Sequence, residues 1–200
     1  MSSKKNNYLI TIVGPTAIGK TALSIQLANF FKAEIISCDS RQFFKEMTIG
    51  TAAPSEDELN AAKHHFIQDR SIFDPYNVGE FERDALKKLS ELFLKNNIVI
   101  MVGGSGLYVD AVINGLDEFP DVNPVIRKQL NQDFKENGIE SLQKKLKNLD
   151  LETYNSIAID NPHRIIRALE VCISSGKTYS SFKNKPKVPR NFTSIKIGLN

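Results

Sequence analysis

Eight consecutive residues, Gly14, Pro15, Thr16, Ala17, Ile18, Gly19, Lys20 and Thr21, match the pattern G-x-x-x-x-G-K-T. Glycines at these places let backbone N–H groups curl around phosphate oxygens, and a helix starting behind them adds its positive dipole end. Lys20 brings a point charge to the terminal phosphate, and the Thr21 hydroxyl suits Mg²⁺. The motif announces a bound di- or triphosphate without naming the group transferred. The second residue with chemical promise is Asp39, which closes the apolar run EIISCD (34–39). Ligands of open α/β sheets bind beyond the carboxyl ends of the strands, so Asp39 and the glycine loop are expected to be neighbours. A carboxylate there can hold Mg²⁺ through water, take a proton from an attacking nucleophile, or simply cap a following helix.

These residues need a frame. YLITIVG (8–14) is a short apolar run ending in glycine, and Lys20 to Phe31 has helical periodicity through Leu23, Leu27 and Phe30. EIISCD predicts a second strand. Residues 51–54 form a turn before a short helix with an acidic first turn, SEDE (55–58). Phe81 to Leu94 reads as an amphipathic helix, with Leu86, Leu89 and Phe93 on one face. NIVIMVGGSG (97–106) reads as a third strand entering another glycine turn. Alternating strands and helices predict an α/β fold: a P-loop parallel sheet with right-handed crossovers.

After about Leu116 the pattern changes to helix after helix. In NPHRIIRALEVCISSG (161–176), Asn161 is placed to cap, Pro162 to open and Gly176 to close a helix. KNKPKVPRN (183–191) reads as a basic, solvated linker, and TSIKIGLN (193–200) as a strand again. The domain expectation is therefore a core of residues 1–116 plus 192–200, interrupted by an all-helical insertion at 117–191. A strand pattern at the very terminus suggests a chain cut from something longer.

Composition is that of a globular protein: 41% of residues are apolar and 24% charged, enough to bury a core. No run reaches the roughly 18 apolar residues of a membrane span. The N-terminal apolar stretch has no small-residue cleavage site and reads as a strand, not a signal peptide, so the expected location is cytoplasmic. The two cysteines, Cys38 and Cys172, lack metal-ligand spacing and read as reduced thiols. Net charge is +3, but residues 1–120 carry 12 Lys/Arg against 15 Asp/Glu, and residues 121–200 carry 14 against 8. A basic second part fits a polyanion-gripping attachment, although a solvated lysine-rich face has the same signature.

Four blocks together, GPTAIGKT, EIISCDSRQFFKEMTIGTAAPS, VGGSGLYVDAVINGL and NPHRIIRALEV with SGKT behind it, resemble the bacterial tRNA dimethylallyltransferase (tRNA isopentenyltransferase) family. The likeness runs from about Leu9 to Asn200, with the blocks in family order. It implies transfer of a dimethylallyl group from dimethylallyl diphosphate to the exocyclic N6 of the adenosine adjacent to the tRNA anticodon, with diphosphate released. The glycine loop would hold that diphosphate through Thr16, Lys20 and Thr21, directly or through Mg²⁺. Asp39 would be the general base, and Thr16 would share the catalytic site.

The resemblance also implies tRNA contacts at Asp39, Ser40, Arg41 and Gln42, at Ser105 where the family more often has threonine, and at Arg127. A further segment, His163, Arg164, Ile165, Ile166 and Arg167, would contact the tRNA, with Arg164 and Arg167 gripping phosphates. Arg164 and Arg167 stand three apart and share a helix face, while Ile165 and Leu169 turn another face to the core. The implied partners are tRNA and dimethylallyl diphosphate, without a membrane, acted on by a monomer. Family arginines beyond the final strand seen here would complete the diphosphate site, so poor catalysis is expected from residues 1–200. A small-molecule or nucleoside kinase is the competing reading of the same glycine loop.

Overall fold

The computed structural model describes residues 6–183 and 188–200. Lys4, Lys5 and the centre of the basic linker, residues 184–187, lie outside the described residues. The chain divides into two compact units, residues 1–116 with 188–200, and residues 117–187.

In the first unit the chain runs β1 (Tyr8–Val13), α1 (Lys20–Phe31), β2 (Ile35–Ser37), α2 (Glu56–Ala61), β3 (His64–His65), α3 (Val78–Phe93), β4 (Ile98–Val102), α4 (Gly106–Asn114) and, after the second unit, β5 (Thr193–Gly198). Among the described residues these strands form one sheet in the order β3-β2-β4-β1-β5, every neighbouring pair parallel. Side chains alternate across a strand with period two, which decides the layers. Leu9, Ile36, Val99 and Met101 pack with Phe81, Ala85 and Leu89 of α3 and Val109 and Val112 of α4. Ile10, Ile12, Ile35 and Ile100 pack on the other face with Leu23, Leu27 and Ala28 of α1. Helices on both faces explain why the central strands read as continuous apolar runs.

Three sequence expectations are corrected. Phe30 does not face the core: it is 78% exposed, and the inner face of α1 runs through Ser24 and Ala28. The strand at 98–102 is the fourth in chain order, because a two-residue edge strand, His64–His65, precedes it. Arg190 is no solvated linker residue. Its guanidinium donates to the carbonyls of Val112 (2.9 Å) and Ala111 (2.8 Å) and to Glu82 (2.6 Å), so it satisfies the last turn of α4.

The second unit comprises α5 (Pro124–Leu149), α6 (Leu151–Ser156) and α7 (Pro162–Ser175). Gly138, at φ 73°, breaks α5 into two segments, a conformation that favours glycine. Its core gathers Leu130, Leu142 and Leu146 of α5 against Ile165, Ala168 and Leu169 of α7. The start of α7 is as the sequence predicts: the Asn161 side chain accepts from the backbone N–H groups of His163 (3.0 Å) and Arg164 (3.3 Å), Pro162 opens the helix, and Gly176 ends it at φ 66°. Such a cap stabilises by about 1 kcal/mol. No helix among the described residues is long and apolar enough to cross a membrane.

Candidate active site

The glycine loop joins β1 to α1 at the carboxyl edge of the sheet. Gly19 at φ 93° and Ala17 at φ 65° turn the chain sharply into the helix. Gly14 is required for a separate reason: a Cβ there would lie 2.5 Å from the Leu199 carbonyl oxygen. The Lys20 ammonium donates to the Pro15 carbonyl at 2.6 Å, which folds its side chain back over the loop. The Ser24 hydroxyl donates to the Thr21 carbonyl at 2.7 Å.

Neighbouring helices leave the sheet in opposite directions here, α1 over one face after β1 and α4 over the other after β4. Crevices of this kind bind ligands in doubly wound folds. A cavity of about 360 Å³ occupies the place, lined by Thr16, Lys20, Thr21, Asp39, Gln42 and Thr51 among others. Ala17 and Gly19 also line it, whereas Gly14, Pro15 and Ile18 do not. Asp39 thus stands on the same cavity as the phosphate-type loop, and its Oδ1 accepts from the Arg41 backbone N–H at 3.0 Å. It closes a tight turn and caps no helix.

Of the four-residue stretch, only Asp39 and Gln42 line the cavity; Ser40 and Arg41 stand outside it. Gln42 is largely engaged within the protein. Its Nε2 donates to the carbonyls of Thr51 (3.2 Å) and Ala52 (2.9 Å), and its Oε1 accepts from the buried Ser37 hydroxyl (3.1 Å). Ser105 lies at the start of α4 and bonds Ser40 rather than the cavity. Gly103 also lines the cavity; a Cβ on it would sit 2.7 Å from the Cys38 backbone, so the close approach of β4 to β2 depends on its bare Cα.

Sequence reasoning missed two wall residues, Glu58 and His64. Glu58 was legible only as a helix-capping acid, a task it performs by accepting from the Ser55 backbone N–H at 2.8 Å. His64 bonds the Ala62 carbonyl through Nδ1 at 2.8 Å, and burial pushes its imidazole below the ordinary histidine range. It is therefore neutral near pH 7. Nothing in its local sequence distinguishes it from its neighbour His65, which faces the Glu34 carboxylate instead, at 2.7 Å.

The remaining candidates belong to the helical unit. Ile165 (0% exposed) and Ile166 (5%) are core residues, so their side chains are closed to a ligand. His163, Arg164 and Arg167 instead line a second cavity of about 360 Å³, together with Tyr179 and Lys183. Arg127, on α5, forms a two-pronged pair with Glu170 of α7, Nε to Oε2 at 2.5 Å and Nη2 to Oε1 at 2.8 Å.

A glycine loop at the end of β1, sharing one cavity with a carboxylate at the end of β2, defines a fold of the P-loop class. The family is resolved by comparison. The model of the IPP transferase family matches residues 42–200, and the chain belongs to that family. It is 60% identical over 199 residues to the tRNA dimethylallyltransferase of Flavobacterium psychrophilum, covering 96% of this chain and 65% of that protein. The chain thus spans slightly under two thirds of the length of such curated relatives. Among solved structures it is similar to the tRNA isopentenylpyrophosphate transferase of Staphylococcus epidermidis (31% identity, TM-score 0.57, 96% of this chain and 63% of that one). It also shares its fold with a eukaryotic dimethylallyltransferase acting on tRNA (24% identity, TM-score 0.78, 96% and 48%).

Proposed function

We propose that this chain carries the reaction centre of a tRNA dimethylallyltransferase, moving a five-carbon prenyl group from dimethylallyl diphosphate to the N6 amine of the adenosine adjacent to the anticodon. One observation carries the reading: Thr16, Lys20 and Thr21 line the same cavity as Asp39. The names of the relatives point the same way.

In the proposed step the bond between the prenyl C1 and the bridging oxygen breaks, and the diphosphate leaves with the electron pair. N6 of adenine forms the new bond to C1, and its proton passes to the Asp39 carboxylate. Negative charge grows on the leaving group, where the Lys20 ammonium, the Thr16 hydroxyl and the loop N–H groups stabilise it as it develops. An aromatic amine is a poor nucleophile, so holding N6 in line with C1 contributes more than the basicity of Asp39 does. The base must leave its stack to enter the cavity, as in other enzymes that act on nucleobases.

Thr21 and Asp39 offer oxygen donors, and no cluster of three or more His, Cys, Asp or Glu occurs among the described residues. That set fits a hard cation held in company with substrate phosphate and water, which is how Mg²⁺ is usually bound. When bound, Mg²⁺ would neutralise charge on the diphosphate.

Single-turnover prenyl transfer to an anticodon stem–loop RNA, with ATP-dependent phosphate transfer assayed beside it, tests the proposal. Asp39→Asn is expected to lower transfer by about a hundredfold or more while RNA binding persists. Unchanged transfer in that variant removes Asp39 from its role. Phosphate transfer from ATP without prenyl transfer overturns the reading in favour of a kinase.

A further inference from the structure

In the helical unit, two arginines from different helices converge on one carboxylate. Glu170 of α7 is 0% exposed, yet it carries a charge and must be compensated where it stands. Arg127 of α5 supplies its two-pronged pair, and Arg167, one turn before Glu170 on α7, adds Nη1 to Oε1 at 2.6 Å. Both guanidinium groups reach outward from that buried point, with side chains 54% and 39% exposed. Arg167 also lies over the Phe119 ring, 5.4 Å from its centroid, and Phe119 stacks on Tyr179 at 4.5 Å.

Two cations sharing one anion keep a net positive charge at the surface. A guanidinium has five N–H donors in a rigid fork. Arg127 gives Nε and Nη2 to Glu170, leaving its Nη1 amino group uncommitted to that carboxylate. Arg167 gives Nη1 and leaves Nε and Nη2 uncommitted to it. The arrangement is a pair of planar donors whose spacing is set by a carboxylate beneath them. Beside them, His163, Arg164 and Lys183 share a cavity wall with Arg167 and contribute no carboxylate. The ligand chemistry this surface fits is the phosphate backbone of RNA, which takes planar, two-pronged arginine contacts.

We propose that Glu170 is a positioning residue for RNA binding: buried beneath Arg127 and Arg167, it fixes both guanidinium groups as a paired phosphate clamp. The inference rests on the tRNA reading above and deepens it.

The test turns on a sign. Glu170→Gln removes a negative charge, so a field effect alone would tighten RNA binding. Loss of positioning weakens it. Affinity for an anticodon stem–loop RNA is measured by fluorescence anisotropy at fixed salt on the whole chain, with far-UV circular dichroism confirming the fold. E170Q is expected to bind about tenfold more weakly, and to add no further loss in a background carrying Arg127→Gln and Arg167→Gln, because residues acting through one another are non-additive. Arg127→Lys, which keeps the charge and loses the fork, gives a second readout should E170Q not fold, and is also expected to bind several-fold more weakly. Equal or tighter binding by E170Q, the same loss in both backgrounds, or unaltered binding by R127K would overturn the proposal. If the unaltered chain binds no stem–loop RNA at all, the tRNA reading itself fails, an outcome distinct from a clamp that binds without needing Glu170.

Discussion

The Ser105 hydroxyl accepts a hydrogen bond from the Ser40 backbone N–H at 3.0 Å and donates one to the Ser40 hydroxyl at 3.1 Å. The two serines are 65 residues apart in sequence, and their contact ties the turn after β2, which carries Asp39, to the start of α4. Ser105→Ala removes both bonds and is expected to cost about 1 kcal/mol. Ser105→Thr keeps the oxygen and should melt with the unaltered chain. Scanning calorimetry of the pair checks this, with a drop of about 2–4 °C expected for the alanine variant alone.

The glycine loop makes a prediction about diphosphate itself. Lys20→Met is expected to weaken inorganic pyrophosphate binding on the order of ten- to a hundredfold, the usual effect of losing a charge-assisted contact. Thr21→Val should leave metal-free pyrophosphate binding nearly unchanged and abolish the gain that Mg²⁺ brings. Isothermal titration with and without EDTA separates the two effects.

Gln42 links the end of β2 to residues 51–54 on the cavity wall, through Ser37 on one side and the Thr51 and Ala52 carbonyls on the other. Ala52 is held at φ 50°, a strained left-handed conformation for a residue with a Cβ. Gln42→Leu should release that segment. Hydrogen–deuterium exchange is expected to quicken across residues 48–54 and to stay unchanged in α3 and in the helical unit.

Much of this site could be read before the fold was known, for reasons that differ between residues. The glycine loop is local: its backbone turn, lysine and helix start lie within eight residues, so pattern and geometry coincide. The capping of α7 by Asn161 and Pro162 is equally local. Phe30 shows the limit of periodicity, since Ser24 and Ala28 are small enough to let α1 sit close to the sheet while the larger ring is left in solvent. β3 was illegible because two residues carry no period, and its pairing with Ile35 and Ile36 is a tertiary event. Glu170 looked like any helix acid. Its burial follows from α5 packing over it, which no pattern within α7 records.

Acid should weaken the helical unit. Burial pushes the Glu170 carboxyl up, but hydrogen bonds from Arg127 and Arg167 outweigh it and leave the group below its ordinary range. Burial likewise raises Asp150, and bonds from the Thr153 and Ser180 backbone N–H groups more than offset that. A carboxyl with a depressed folded pKa binds protons less readily than in the unfolded chain. Its stabilising contribution is present above the unfolded value, about 4, and is lost as pH falls through the folded one. Thermal unfolding followed by circular dichroism should therefore be level above about pH 5 and decline below about pH 4. A double variant, Asp150→Asn with Glu170→Gln, should show a flatter profile over the same window.

Each compact unit encloses one thiol. Cys38 is wholly inaccessible, wedged against Gly103 immediately before Asp39, and burial drives its proton affinity far above that of a free cysteine. Cys172 is 5% exposed and accepts the Tyr179 backbone N–H at 3.2 Å. Both thiols are buried, so their reaction with an aromatic disulfide reagent is expected to wait on opening of the shell around them, and the sequence holds no third cysteine to blur the signal. The chain thus carries two natural stopwatches: the labelling rate at Cys38 times the breathing of the sheet edge beside the glycine-loop cavity, and that at Cys172 times the breathing of the helical unit.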